Sequence, residues 1–273
     1  MNIRTIKLII ILMATAACLT ACGDLFPTTD LGDLTLDSTP TATATAVPTA
    51  EPTSTPTATP TPVPAPAHSA LYVPGVSVED VITYFNEVCL DAEFVNGGDA
   101  TMVQKWTAPI RYVLNGNYTD MDLQVLSNMA TWLNTIEGFP GMYEAEEAYQ
   151  ANLRIHFCTQ QEMIDLMGSN FANMDGGVTF WYSENRIYDE IICYRWEIGQ
   201  YVRNSVILEE IYNGLGPVQD TNLRPDSIIY AGYSEPQSLT QVDELILKLL
   251  YHPDIKCGMN AEECETVIRR LYY

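Results

Sequence analysis

The stretch Ser205 to Asp220, SVILEEIYNGLGPVQD, sets two adjacent carboxyls, Glu209 and Glu210, one helical turn ahead of Asn213, and follows them with Gly216, Gln219 and Asp220. On a helix Glu209 and Asn213 share a face, with Glu210 beside them. Two carboxyls in one cleft push their titrations apart, so such a pair can serve as general acid and base. Glu209, Asn213 and Asp220 could also offer oxygens to a hard cation. Calcium takes six to eight, however, and this motif supplies two or three.

Zinc takes imidazole and thiolate by preference, and the chain holds few of either at useful spacing. His68, His156 and His252 are the only histidines, and no two of them share a ligand motif. His156 reads as a sheet-face residue and His252 as a helix-end residue favoured by the dipole. Five cysteines follow the N-terminal region: Cys89, Cys158, Cys193, Cys257 and Cys264. None forms a Cys-x-x-Cys pair, which argues against a zinc ribbon or a dithiol redox motif. Cys257 and Cys264, in CGMNAEEC, close a short loop beside a helix start and are the expected disulfide if any forms. No metal or cofactor is assigned, with zinc or calcium kept as the alternatives.

These residues must be positioned by alternating helices and strands. SVEDVITYFNEVCL carries a Ser77 to Asp80 capping box and apolar residues at helical spacing. APIRYVLNG alternates as a strand does, and TDMDLQVLSNMATWLNTIEG offers Thr119 and Asp122 as a cap and Gly138 as a stop. ANLRIHFC, GVTFWYS and RIYDEIICYRW read as further strands, the last two joined by a turn at Glu184–Asn185, with a short capped helix in TQQEMIDLMG. Next comes the acidic helix, apolar on two sides and therefore central, and then LTQVDELILKLLY and NAEECETVIRRLYY as closing helices. The class is α+β, a mixed sheet of about four or five strands followed by helices. Trp181, Tyr182, Tyr188, Tyr194 and Trp196 fall in the two strands before the acidic helix; alternation allows only part of this set to face a ligand.

In spacing, the acidic segment resembles the zinc motif of the metzincin peptidases, His-Glu-x-x-His-x-x-Gly-x-x-His. The register aligns Glu209, Glu210, Asn213, Gly216 and Gln219 with it, so the base and the glycine remain and every histidine is replaced. The resemblance continues downstream: Ser227-Ile228-Ile229-Tyr230 stands where matrixins place a Met-turn, with Ile229 at the methionine, and Leu239-Thr240, Asp243 and Leu250-Tyr251 match the sequel. The chain is thus similar to a zincin-like domain with an altered site, and to an uncharacterised group of secreted bacterial proteins bearing Glu-Glu-x-x-(Gln/Asn)-x-Leu-Gly here. The resemblance implies a central motif helix behind the sheet and C-terminal helices, with Glu210 in the place of the catalytic base. Without a metal-polarised water that base has nothing to activate.

The N-terminal third bears on location. Arg4 and Lys7 precede the apolar run Leu8 to Ala17, and Leu19-Thr20-Ala21-Cys22 resembles a lipobox. Residues 1–21 are expected to be a lipoprotein signal peptide, 22–37 the mature N-terminal segment, 38–69 a Thr/Pro-rich disordered linker and 70–273 the zincin-like domain. Lipid on Cys22 would hold the chain to a membrane in the bacterial envelope, facing outside the cytoplasmic membrane. The linker's polyproline-type composition could extend on the order of 90 Å. The net charge of −22, which becomes −24 without Arg4 and Lys7, argues against nucleic acid and anionic polymers as partners. The expected function is a non-catalytic surface lipoprotein that binds a peptide, protein or glycan or has a structural role. The alternatives are a hydrolase using Glu209 and Glu210, and a solute-binding lipoprotein.

Overall fold

The computed structural model describes residues 69–90 and 102–273. The lipobox Cys22, the signal segment and almost all of the Thr/Pro-rich linker lie outside these residues. Helix α1 (Val78–Leu90) opens the domain, and its capping box is formed: Ser77 Oγ donates to Asp80 Oδ2 at 2.7 Å while the Asp80 amide donates back at 3.1 Å. Strands β1 (Lys105–Trp106), β2 (Ile110–Gly116), β3 (Met142–Glu144), β4 (Leu153–Cys158), β5 (Gly176–Ser183) and β6 (Arg186–Arg195) alternate with α2 (Asp120–Leu133) and α3 (Gln160–Met167). Helices α4 (Gln200–Gly214), α5 (Gln241–Tyr251) and α6 (Ala261–Tyr272) complete the chain.

The fold is α+β, built on one six-stranded sheet in which β3, β2, β4 and β6 lie side by side and parallel. β5 is the one antiparallel member, forming a hairpin with β6 through Glu184 and Asn185, both at positive φ. That backbone suits the two-residue hairpin turn read from the sequence. The strand count exceeds the four or five expected, because β1 and β3 span only two and three residues. Such runs are too short to show a period of two.

Alternation divides the interior. Leu153, Ile155 and Phe157 of β4, with Ile192 and Tyr194 of β6, join Leu126, Met129 and Leu133 of α2 and Val206, Ile207 and Ile211 of α4 in the main core. The opposite phase, Cys158 and Cys193, joins Met163 and Met167 of α3 in a smaller one. Helices α2 and α4 therefore cover one face of the sheet and α3 the other. A fully buried ion pair fixes α2 to α4: Arg203 Nε donates to Asp122 Oδ1 at 2.8 Å, and its other nitrogens bond Trp196 O, Ile198 O and Gln200 Oε1. Burial works against the Asp122 carboxylate, but hydrogen bonds from Arg203, Thr119 and Gln200 hold it below the usual range.

The expected Cys257–Cys264 bridge is not made; all five cysteines of the domain are free thiols. Sequence spacing closes the loop, but the helix turns Cys264 into the core, while Cys257 lies outside it with its sulfur 3.9 Å from the Lys105 carbonyl. Lys105 itself is buried, donating to the Leu250 and Ile255 carbonyls at 2.6 Å each, and burial lowers its pKa to about 8.

Candidate functional site

Helix α4 has an apolar surface on every side, so its polar residues are carried inward. From Ser205 to Gly214 every residue is buried, including Glu209, Glu210 and Asn213. Glu210, 1% exposed, packs against β5 at Gly176, where an added Cβ would lie 2.4 Å from Val206 Cγ1 and 2.9 Å from Glu210 Oε1. The helix ends where Leu215 gives way to Gly216 at φ +122, a conformation that side chains rarely adopt. A Cβ there would also stand 2.4 Å from the Gln104 carbonyl oxygen. The motif glycine is therefore required by the backbone, independently of any ion.

A third acid, absent from the sequence reading, completes the cluster. Glu190 of β6 is 1% exposed and its carboxyl lies against α4 at Gly214. Trp106 stands beside it, donating Nε1–H to the Gly214 carbonyl at 3.0 Å. Burial drives Glu190, Glu209 and Glu210 far above the usual carboxyl range; Asp189 adds to the effect at Glu190, Glu210 and Asp220 at Glu209, and Asp220 and Glu190 at Glu210. Arg154 opposes this weakly at Glu190, and among the described residues no cation does so at Glu209 or Glu210. Asn213 lies close enough to Glu210 to ease its ionisation, yet neither of its amide atoms, nor Glu210 Oε2, has a hydrogen-bond partner. Burial thus pushes all three acids toward the neutral form. A carboxyl biased toward its protonated form and enclosed is poorly suited to take a proton from a water.

The Ser227 to Tyr230 segment loops back along the chain that leaves the motif. Thr221 N–H donates to Ile229 O and Ala231 N–H to Thr221 O, both at 2.9 Å, and Ile229 is fully buried. Asp243 anchors this loop. Its carboxylate accepts from Ser227 Oγ at 2.7 Å, Tyr84 OH at 3.2 Å and the Ile228 amide at 3.2 Å, while capping α5 through Thr240. Tyr212 of α4 donates to the Asp243 carbonyl at 3.0 Å, which ties the loop to the motif helix. Replacing Asp243 by Ala should strand these donors in the interior and lower unfolding stability by about 3 kcal/mol, measured by urea denaturation. A loss below about 1 kcal/mol would mean the loop is held by packing alone.

Gln219 and Asp220 follow at the end of the motif, half-buried, with Gln219 N–H reaching Val88 O at 3.3 Å. Among the aromatic residues expected to divide between core and cleft, Tyr182 and Tyr194 are buried, whereas Tyr188 and Trp196 are exposed. The histidines stay apart from the motif: His156 on the α3 face of β4, and His252 as the C-cap of α5, its Nδ1 accepting from the Asp254 amide at 3.1 Å.

Zinc is the ion implied by the resemblance, and the donors here do not fit it. Glu209, Asn213 and Gln219 offer one carboxyl, protonated where it stands, and two neutral amides. No group of three or more His, Cys, Asp or Glu side chains among the described residues is disposed to hold a metal.

Fold and site together define an α+β domain whose central helix seals an acidic motif against the sheet. The chain belongs to the family described as protein of unknown function (DUF2927), whose sequence profile matches residues 78–270. No curated protein matches it.

Proposed function

We propose that the protein is an envelope lipoprotein, anchored through Cys22, whose zincin-like domain binds an extended peptide or similar ligand without hydrolysing it. The observation that carries the non-catalytic reading is the setting of Glu209 and Glu210, which are buried and have no imidazole at any of the three aligned ligand positions. The zincin-like reading is supported by the single antiparallel edge strand β5 packed against α4, by Gly216, and by the Ser227 to Tyr230 loop beside Thr221. Binding is supported by β5 itself. Among the described residues its outer edge makes no backbone hydrogen bond to another element, which suits the addition of a strand from a ligand.

Purified full chain should contain no stoichiometric zinc, should fail to cleave denatured protein, and should keep its melting temperature in the presence of a zinc chelator. Stoichiometric zinc, or peptide hydrolysis abolished by Glu210→Gln, would replace this reading with that of a hydrolase. Release of the chain from membranes by Cys22→Ala tests the anchor separately.

A further inference from the structure

On the sheet face away from α4, Cys158, Met163, Met167, Phe171, Met174 and Cys193 pack into a small core of their own. Five of these six side chains carry sulfur. The register of the parallel β4–β6 ladder explains why the two thiols meet. Cys158 pairs with Arg195 and Cys193 with His156, so the cysteines lie diagonally on one face. They are in hydrogen-bonding contact: the Cys193 thiol holds Cys158 below its usual pKa, while the same bond and burial push Cys193 up.

Two thiols packed among three thioethers are the donor set that selects a soft ion over zinc, calcium or magnesium. We propose that Cys158 and Cys193, completed by a thioether of Met163, Met167 or Met174, form a binding site for Cu(I).

The topology supplies an entrance. From β2 the chain passes through α2 to β3 on one side, and β4 then lies on β2's other side, with α3 on the opposite face of the sheet. The carboxyl ends of β2 and β4 are thus a point where the strand order reverses, the usual place for a ligand crevice in such sheets. A cavity of about 400 Å³ opens there, lined by Asn115, His156, Cys158, Glu162, Asp165 and Leu166. Cys158 belongs to both the cavity wall and the sulfur cluster. The two carboxylates attract a cation, and His156 lines the same cavity beside Cys158. Binding exchanges two S–H protons, released to solvent, for one Cu(I), with no change of oxidation state. The resulting bis-thiolate carries one negative charge, and the nearest guanidinium, that of Arg195 beside Cys158 on the same face, is shared with Asp175 and Glu197.

The test is anaerobic titration of the reduced, purified full chain with Cu(I) held by a chromophoric competitor. One equivalent should be withdrawn per chain, with a thiolate-to-Cu(I) charge-transfer band and only sulfur in the first coordination shell by X-ray absorption. Cys158→Ser and Cys193→Ser should each weaken binding by about 100-fold or more. Cys257→Ser, outside the cluster, should leave it unchanged, and Ag(I) but not Zn(II) should compete. Failure of the wild-type chain to withdraw Cu(I) would overturn the proposal whatever the variants do. Retention of binding in the double serine variant would overturn it too, as would a Cys158–Cys193 disulfide that resists reduction in the folded chain.

Discussion

Gly214→Ala is expected to destabilise the fold markedly, although intrinsic propensity points the other way. Alanine is favoured over glycine within a helix by about 1 kcal/mol, and Gly214 is a helical residue at an ordinary backbone conformation. Its Cβ, however, would fall 1.6 Å from Glu190 Oε1 and 2.7 Å from Glu190 Cδ. The Glu190 carboxyl must move to make room, and because it is buried beside α4 and Trp106 its displacement disturbs the packing around it. The cost falls at the upper end of that for overpacking, about 3 kcal/mol. The mechanism predicts rescue. Glu190→Ala combined with Gly214→Ala should be more stable than Gly214→Ala alone by at least about 2 kcal/mol, a coupling that urea denaturation of the single and double variants measures directly. A Gly214→Ala variant as stable as the parent would show that Glu190 does not pack there.

The second large effect is a loss of stability as pH rises through the neutral range. Glu190, Glu209 and Glu210 ionise near 4.5 when unfolded and far higher when folded. Above pH 4.5 the folded state therefore holds protons that the unfolded state has released, and stability falls with increasing pH. Each acid that stays protonated contributes about 1.4 kcal/mol per pH unit, or about 3 kcal/mol between pH 5.5 and 7.5. Three groups act in the opposite sense. His156 is lowered by burial and Arg154, so its folded form binds fewer protons near pH 6. Lys105, lowered to about 8, and Cys158, lowered by its bond with Cys193, do the same toward the alkaline end of the window and above it. These opposing groups leave the slope set by the three acids. Urea denaturation at pH 5.5 and 7.5 should show a stability several kcal/mol greater at the lower pH. The triple variant Glu190→Gln, Glu209→Gln, Glu210→Gln, which keeps the shape without the ionisable proton, should flatten the profile and gain stability at pH 7.5. A wild-type profile that is flat or rises over this range would mean that the acids are ionised in the folded chain and paired with a cation.

Part of the acidic cluster is legible in the sequence, and the omissions have physical causes. Glu209, Glu210 and Asn213 stand together because helical spacing places them on one element, which ends before Gly216. Glu190 was missed although its strand carries a signal: it shares the period-two phase of Ile192 and Tyr194, both of which point inward. That phase also includes Tyr188, which is exposed, because a register shift in the β5–β6 ladder admits an extra residue between Ile187 and Asp189. A bulge breaks the alternation on which the reading of a strand depends. Gly176 and Gly214 carry no local sign of their importance, since what each must accommodate, Glu210 and Glu190 respectively, comes from another element.

By itself the sequence determined the α+β class, the order of the longer elements, the caps at Ser77, Thr119 and Thr159, and the hairpin turn at Glu184–Asn185. These rest on interactions within a few residues, where spacing alone decides which groups can meet. Only the tertiary structure decided that the acidic motif is buried, that Cys264 turns into the core and away from Cys257, and that Cys158 meets Cys193. Each of these outcomes depends on strand register and on which sheet face a helix covers. They bring together residues tens of positions apart, and burial, which sets the charge of a carboxyl or the partner of a thiol, is a property of that assembly.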